Sequence, residues 1–133
     1  MARDAVGFSR IQARDITFAH DGSIVYASTA ANGSVSVGKA VKMVAAGQVG
    51  LATDGADVVG ELVIVEDDGF CLVQNTGVAN LPSAGTITFG TKIVGAVGGK
   101  IRSVVASALA DVAAGRGRVL DASDVDNVKV LLD

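Results

Sequence analysis

Glycine returns at short intervals through the middle of this chain, at Gly33, Gly38, Gly47, Gly50, Gly55, Gly60, Gly69, Gly77, Gly85, Gly90, Gly95, Gly98 and Gly99. Between these points lie short runs of Val, Ala, Ile and Leu. β-Branched side chains suit a pleated surface, and glycine supplies the positive φ of tight turns and bulges. The rhythm therefore predicts a mainly β fold: a small Gly/Val-rich antiparallel β-barrel or β-sandwich with an extended N-terminal arm. Strands are expected over residues 39–44, 48–52, 58–66, 70–74, 86–89, 92–97, 100–106, 118–120 and 128–132.

Local patterns sharpen several of these elements. Val41 and Met43 alternate with Lys42, and Val128, Val130 and Leu132 alternate with Lys129. Alternation fails from Leu62 to Val65, where four apolar residues follow one another. Such a run predicts a strand covered on both faces, by its own domain or by a partner. Glu66-Asp67-Asp68-Gly69 joins two hydrophobic runs, and Asp-Gly in that setting is a strong hairpin signal. Ile101, Val104, Val105, Ala108, Leu109 and Val112 fall at helical spacing, with Gly115 as a stop. The same stretch follows Gly98-Gly99 as the return arm of a hairpin would. The expectation is a strand first, then a loop or short helix over 107–114.

The first thirty residues lack the glycine rhythm. Arg3, Arg10 and Arg14 interleave there with Phe8, Ile11, Ile16 and Phe18. Arginines with spaced apolar anchors suit an arm lying along another surface; an ordinary first strand at an edge is the other reading. The division expected is residues 1–30 as arm or edge strand and residues 31–133 as the β-domain.

At 133 residues the chain is long enough for one domain with its own core. Half of its residues are hydrophobic, yet it holds no Trp, one Tyr and one Pro. Stability must come from many small contacts, a kind of core that a neighbouring subunit often completes. One cysteine, Cys71, excludes an intrachain disulfide. No apolar run reaches the ~20 residues of a membrane helix, and the N-terminus lacks a signal-peptide core. A soluble protein made in a cytoplasm is expected, without membrane contact. A net charge of −3 argues against general affinity for nucleic acid.

Chemistry is hard to place on this sequence. His20 is the single histidine and stands in a turn-like context, while Cys71 sits in an apolar run that suits an inert core thiol. One Cys and one His do not make a zinc site, and Glu66 to Gly69 lacks the spaced oxygens of a calcium loop. Gly95 to Ile101 is glycine-rich but has Ile101 where a phosphate loop needs Ser or Thr. Asp67, Asp68, Asp121, Asp124 and Asp126 have turn character, so no raised carboxylate pKa is expected. Gly115 to Arg118 reads as a loop with two exposed arginines, with a phosphate or acidic partner as the other possibility. The expectation is no enzyme, no cofactor and no metal.

Three pieces carry a resemblance: Gly47-Gln48-Val49-Gly50-Leu51-Ala52, then Val58-Val59-Gly60-Glu61-Leu62, then Asp68-Gly69-Phe70. With the closing strand Val128-Lys129-Val130-Leu131-Leu132, this succession resembles the capsid decoration, or cement, proteins of tailed double-stranded DNA bacteriophages. The resemblance covers about Val35 to the C-terminus; the N-terminal thirty residues do not match, and the Ala-rich stretch is longer than the family pattern. It implies a β-barrel or β-sandwich bound to the outside of an icosahedral head, with the major capsid protein as partner and a homotrimer favoured. The location implied is the virion. Arms in such proteins reach neighbouring capsomers, which would make Arg3, Phe8, Arg10, Ile11, Arg14, Ile16 and Phe18 capsid contacts. A carbohydrate- or receptor-binding module of a phage tail or adhesin is the rival, with Tyr26 and the four Phe as its available aromatics.

Overall fold

The longest strand, β5 (Phe70–Leu81), belongs to two hydrogen-bonded circuits and holds them together. The computed structural model describes residues 14–133. Around β5 stand β1 (Arg14–His20), β2 (Ala40–Ala45), β3 (Gln48–Leu51) and β4 (Gly60–Val65). They are followed in the chain by β6 (Ile93–Ala96), β7 (Lys100–Ser103), helix α1 (Leu109–Ala114), β8 (Arg118–Asp121) and β9 (Val128–Leu132). The fold is mainly β, as the glycine rhythm predicts.

The first circuit runs β1, β3, β2, β4, β5 and back to β1. β1 lies parallel to β3 and antiparallel to β5, so it is paired on both flanks. β2 pairs antiparallel with β3 and with β4, and β4 pairs antiparallel with β5. Residues 14–20 are thus an interior member of the circuit, and a boundary after residue 30 does not separate them from the β-domain.

Gly77, at φ 92°, lies where β5 leaves its first partners. Gly77 to Leu81 pair instead with β9, and β9 pairs with β8. Beyond β8 the pairing continues through the backbone: Val119 N–H donates to the Thr91 carbonyl at 2.9 Å, and Gly90 N–H donates to the Val119 carbonyl at 2.7 Å. Ile93 and Arg116 exchange bonds of 2.9 and 3.0 Å, which ties in the β6–β7 hairpin. Ile101 N–H then reaches the Pro82 carbonyl at 2.9 Å, just past the end of β5. This closes a second circuit.

Each circuit encloses apolar side chains. Ile24, Val41, Val49, Leu62, Val65, Cys71 and Val73 fill the first, with Phe18 packed against them. Ala79, Leu81, Ile93, Ile101, Val119, Val128, Val130 and Leu132 fill most of the second. Successive residues of a strand point to opposite faces, and here that alternation divides neighbours between cores. Ala40 joins the second core and Val41 the first. Val58 and Val59 divide in the same way.

Three elements differ from the sequence expectation, and a fourth was left open. Residues 86–89 form no strand: Gly85 and Gly90, at φ 111° and 82°, turn the backbone at both ends, and Thr88 N–H is taken by Ser103 Oγ at 3.2 Å. β5 runs on past residue 74, because Gly77 bends the strand without ending it. The apolar run from Leu62 is not covered on both faces by its own domain. A bulge between Leu62 and Ile64 turns both Leu62 and Val65 inward and leaves Ile64 exposed. The open choice over 107–114 resolves as the short helix α1, after β7 as the return arm. The turn before β5 forms as expected, with Gly69 at φ 92° and Asp68 Oδ1 accepting Phe70 N–H at 3.1 Å.

Candidate interaction surface

The surface of the second circuit takes its shape from a single inward charge. Residues 103–115 contain one ionisable side chain, Asp111, and it is buried. Arg102 Nη1 donates to Asp111 Oδ2 at 2.6 Å and Nη2 donates to Oδ1 at 3.0 Å. Val105 N–H adds a 3.0 Å bond to Oδ2. The Arg102 hydrogen bond, then the Val105 bond, hold the Asp111 carboxyl below its ordinary value. Asp111, then Asp54 at 2.8 Å from Nε, raise the Arg102 guanidinium.

Because α1 turns its acid inward, its apolar residues face water. Leu109 is 86% exposed, and Val112 and Val105 are about half exposed. The helical spacing was therefore legible, but its apolar face is the outer one. Beyond Lys92, whose carbonyl accepts Val104 N–H, lies a second apolar feature. Ile87, Phe89, Leu120 and Ala122 line a shallow cleft of about 650 Å³, with Asp121 and Ser123 also in its wall. Phe89 is 77% exposed there.

A second cleft, of about 710 Å³, opens where the two circuits meet. Lys42, Thr53, Asp54, Asp57, Asn75 and Arg116 contribute its polar groups. Arg116 is committed to the main chain: Nη1 donates to the Val58 carbonyl at 3.1 Å and to that of Val59. Nη2 donates to the Asn75 carbonyl and, at 3.2 Å, to a main-chain oxygen of Asp133. Burial lowers the Arg116 pKa, with Asp133 and Asp57 opposing. This corrects the expectation of two exposed arginines in the Gly115 to Arg118 loop: Arg116 is a half-buried tie, while Arg118 is exposed. Lys42 Nζ donates to Thr53 Oγ1 at 2.8 Å.

Nucleophilic chemistry finds no support in the remaining polar groups. Cys71 is buried, and desolvation pushes its thiol up to about 11, the wrong direction for a nucleophile. His20 Nε2 is buried without a hydrogen-bond partner. Asp121 accepts from Ser123 N–H and Oγ at 2.9 and 2.7 Å, and Asp124 accepts from Asp126 N–H at 3.0 Å. These bonds lower both carboxyl pKa values, so neither is tuned as a general acid. Among the described residues no group of three or more His, Cys, Asp or Glu could hold a metal ion, and no helix is long and apolar enough to cross a membrane.

The residues expected to contact a capsid are distributed as follows. Arg14, Ile16 and Phe18 lie on β1; Ile16 is exposed, and Phe18 packs against the first core. Arg3, Phe8, Arg10 and Ile11 lie outside the described residues. Sequence reasoning missed the outward Leu109, the Phe89–Leu120 cleft and the Arg116 tie. The lone charge of Asp111 within an Ala/Val stretch was the available signal for an inward acid; nothing local marks Arg116 apart from Arg118. No protein-family model matches the chain, and comparisons with curated proteins and with solved structures return no match.

Proposed function

We propose that this chain is a structural viral protein that binds the outer surface of a phage capsid and stabilises the DNA-filled head by bridging capsomers. The observation that carries the reading is the outward display of apolar side chains by a scaffold whose strands are occupied with one another. Leu109, Phe89, Val97 and Val35 are each largely exposed, while Arg102, Asp111 and Arg116 are bonded to the fold itself. Such a surface offers adhesive area. Several hundred Å² of apolar contact, at ~25 cal/mol per Å², offsets the cost of ordering a subunit, and repetition over a shell multiplies it.

The major capsid protein is the partner in this reading, and the N-terminal segment is one of its contacts. The experiment compares the full chain with one lacking residues 1–13 on purified heads, measuring occupancy and the temperature at which DNA escapes. The cut stops at residue 13 because β1 closes the first circuit. Lower occupancy and earlier release for the shortened chain are expected. Heads that neither bind the full chain nor gain heat resistance from it would end the proposal.

A further inference from the structure

The first circuit is split at one place, where the main chain is diverted. β2 and β4 share only two register positions, Ala40 with Glu61 and Val41 with Gly60, and Val59 N–H adds a 2.8 Å bond to the Val41 carbonyl. Ahead of Val59 the chain turns to β6 instead: Gly55 N–H donates to the Gly95 carbonyl at 2.9 Å, and Gly95 N–H donates to the Ala56 carbonyl at 2.8 Å. The Val58 and Val59 carbonyls are taken by side chains, Arg116 Nη1 at 3.1 Å for Val58 and Asn75 Nδ2 at 2.9 Å for Val59. The cleft of about 710 Å³ is the space this leaves between Lys42 and Met43 of β2 and the diverted residues 54–58. Adjacent residues of an antiparallel strand aim their N–H and C=O groups at opposite flanks. The Ala40 carbonyl accepts from Ala52 on the β3 flank, and the Val41 carbonyl accepts from Val59 on the other. Lys42, in register with Gly50, therefore bonds toward β3, and Met43 presents its N–H and C=O to the cleft.

We infer that this cleft binds an extended peptide segment of another protein, which adds to β2 at Met43 and sets a lysine or arginine against Asp57. Three observations select that occupant. First, the paired N–H and C=O of an open strand edge are matched by the C=O and N–H of a facing extended chain, the geometry of strand addition. Second, the diverted residues 54–58 and residues 113–116 stand across the cleft from Met43. The edge of a second folded sheet would bring its neighbouring strands into that wall, whereas a lone extended segment has no such layer behind it. Third, the other charges of the cleft are committed: Lys42 Nζ to Thr53 Oγ1, Asp54 to Arg102 Nε at 2.8 Å, and Arg116 to main-chain carbonyls. Asp57 is exposed and acts on Arg116 only through space, so the charge left to recognise a ligand is negative. Met43 is itself exposed beside this edge and offers apolar contact to a side chain of the added strand.

The test uses the full chain, isotope-labelled for amide NMR, and a short capped peptide of alternating valine and threonine with one central lysine. In the free protein the Met43 amide should exchange with solvent at least roughly tenfold faster than the Lys42 amide, which β3 protects. The peptide at millimolar concentration should shift the Met43 amide saturably and slow its exchange. A version N-methylated along the edge that faces β2 cannot donate, and should bind at least roughly tenfold more weakly. Exchanging the peptide's lysine for glutamate should weaken binding roughly fivefold, and Asp57→Asn, shown by thermal melts to be folded, should abolish that preference. A Met43 amide as protected as that of Lys42 means the edge is closed and overturns the inference. So does a peptide that leaves Met43 unshifted, an N-methylated version that binds equally well, or a lysine preference that survives in Asp57→Asn. Met43 shifts that grow with protein concentration in the absence of peptide would assign the edge to a second copy and overturn it as well. Heads take no part in this test, so its outcome and that of the capsid experiment are read separately.

Discussion

Arg102 and Asp111 meet through two parallel hydrogen bonds, 2.6 and 3.0 Å long, and this pairing turns the short helix α1 so that its single acid points inward. Bidentate guanidinium–carboxylate contacts are geometrically specific as well as strong. The helix has only six residues and no side-chain cap, so its orientation depends on this contact.

Asp111→Asn should therefore lower the melting temperature at neutral pH by roughly 5 °C. The folded-state pKa of Asp111 lies below its ordinary 3.8. Its contribution is thus complete above that value and lost as pH falls through the folded pKa. Melts of wild type and Asp111→Asn should differ most near pH 7 and converge as pH falls through the folded-state pKa. A gap that stayed constant with pH would show that the charge is not involved. Asp121 and Asp124 act in the same direction, so the whole protein should lose stability with acid over this range.

Arg116→Ala removes the donor that satisfies carbonyls of Val58, Val59 and Asn75 and a main-chain oxygen of Asp133. Urea unfolding should show a loss of about 2 kcal/mol, with Arg116→Lys recovering only part, because an ammonium lacks the planar fork. Full recovery by Lys would reduce the role of Arg116 to simple charge.

Gly60 and Gly22 offer a matched pair. A Cβ on Gly60 would run into the Gln74 carbonyl of the neighbouring strand, whereas a Cβ on Gly22 meets nothing within 4 Å. Gly60→Ala should cost about 3 kcal/mol and Gly22→Ala less than about 0.5 kcal/mol, read from chemical denaturation. Equal effects would mean that β4 and β5 can separate freely.

Cys71 should resist labelling. With a thiol pKa of about 11 and a buried side chain, only about one part in a thousand is thiolate at pH 8. A soluble disulfide probe should react at the rate of unfolding, and adding urea should accelerate it. Rapid modification of the native protein would reopen the case for a reactive site.

The sequence made the β class legible because its signals are local. Glycine spacing places turns, and Val41 to Met43 and Val128 to Leu132 show period-two alternation directly. The twelve-residue span of β5 was not legible, since Asn75, Thr76 and Gly77 look like a stop. They continue the strand because partners distant in sequence, β1 and β9, take over its backbone groups in turn. The bulge in β4 was hidden for a similar reason. Four consecutive apolar residues fit two-sided burial, and only the register against β5 reveals that Ile64 faces out. The outward position of Leu109 depends on Asp111 finding Arg102, a partner that no local pattern announces.

β5 threads both circuits as one uninterrupted covalent segment, and adjacent residues such as Ala40 and Val41 serve different cores. A pull on one half is consequently transmitted through main-chain bonds rather than across a slippery side-chain seam. Separating the halves would therefore require stripping Gly77 to Leu81 from β9 and opening both cores at once.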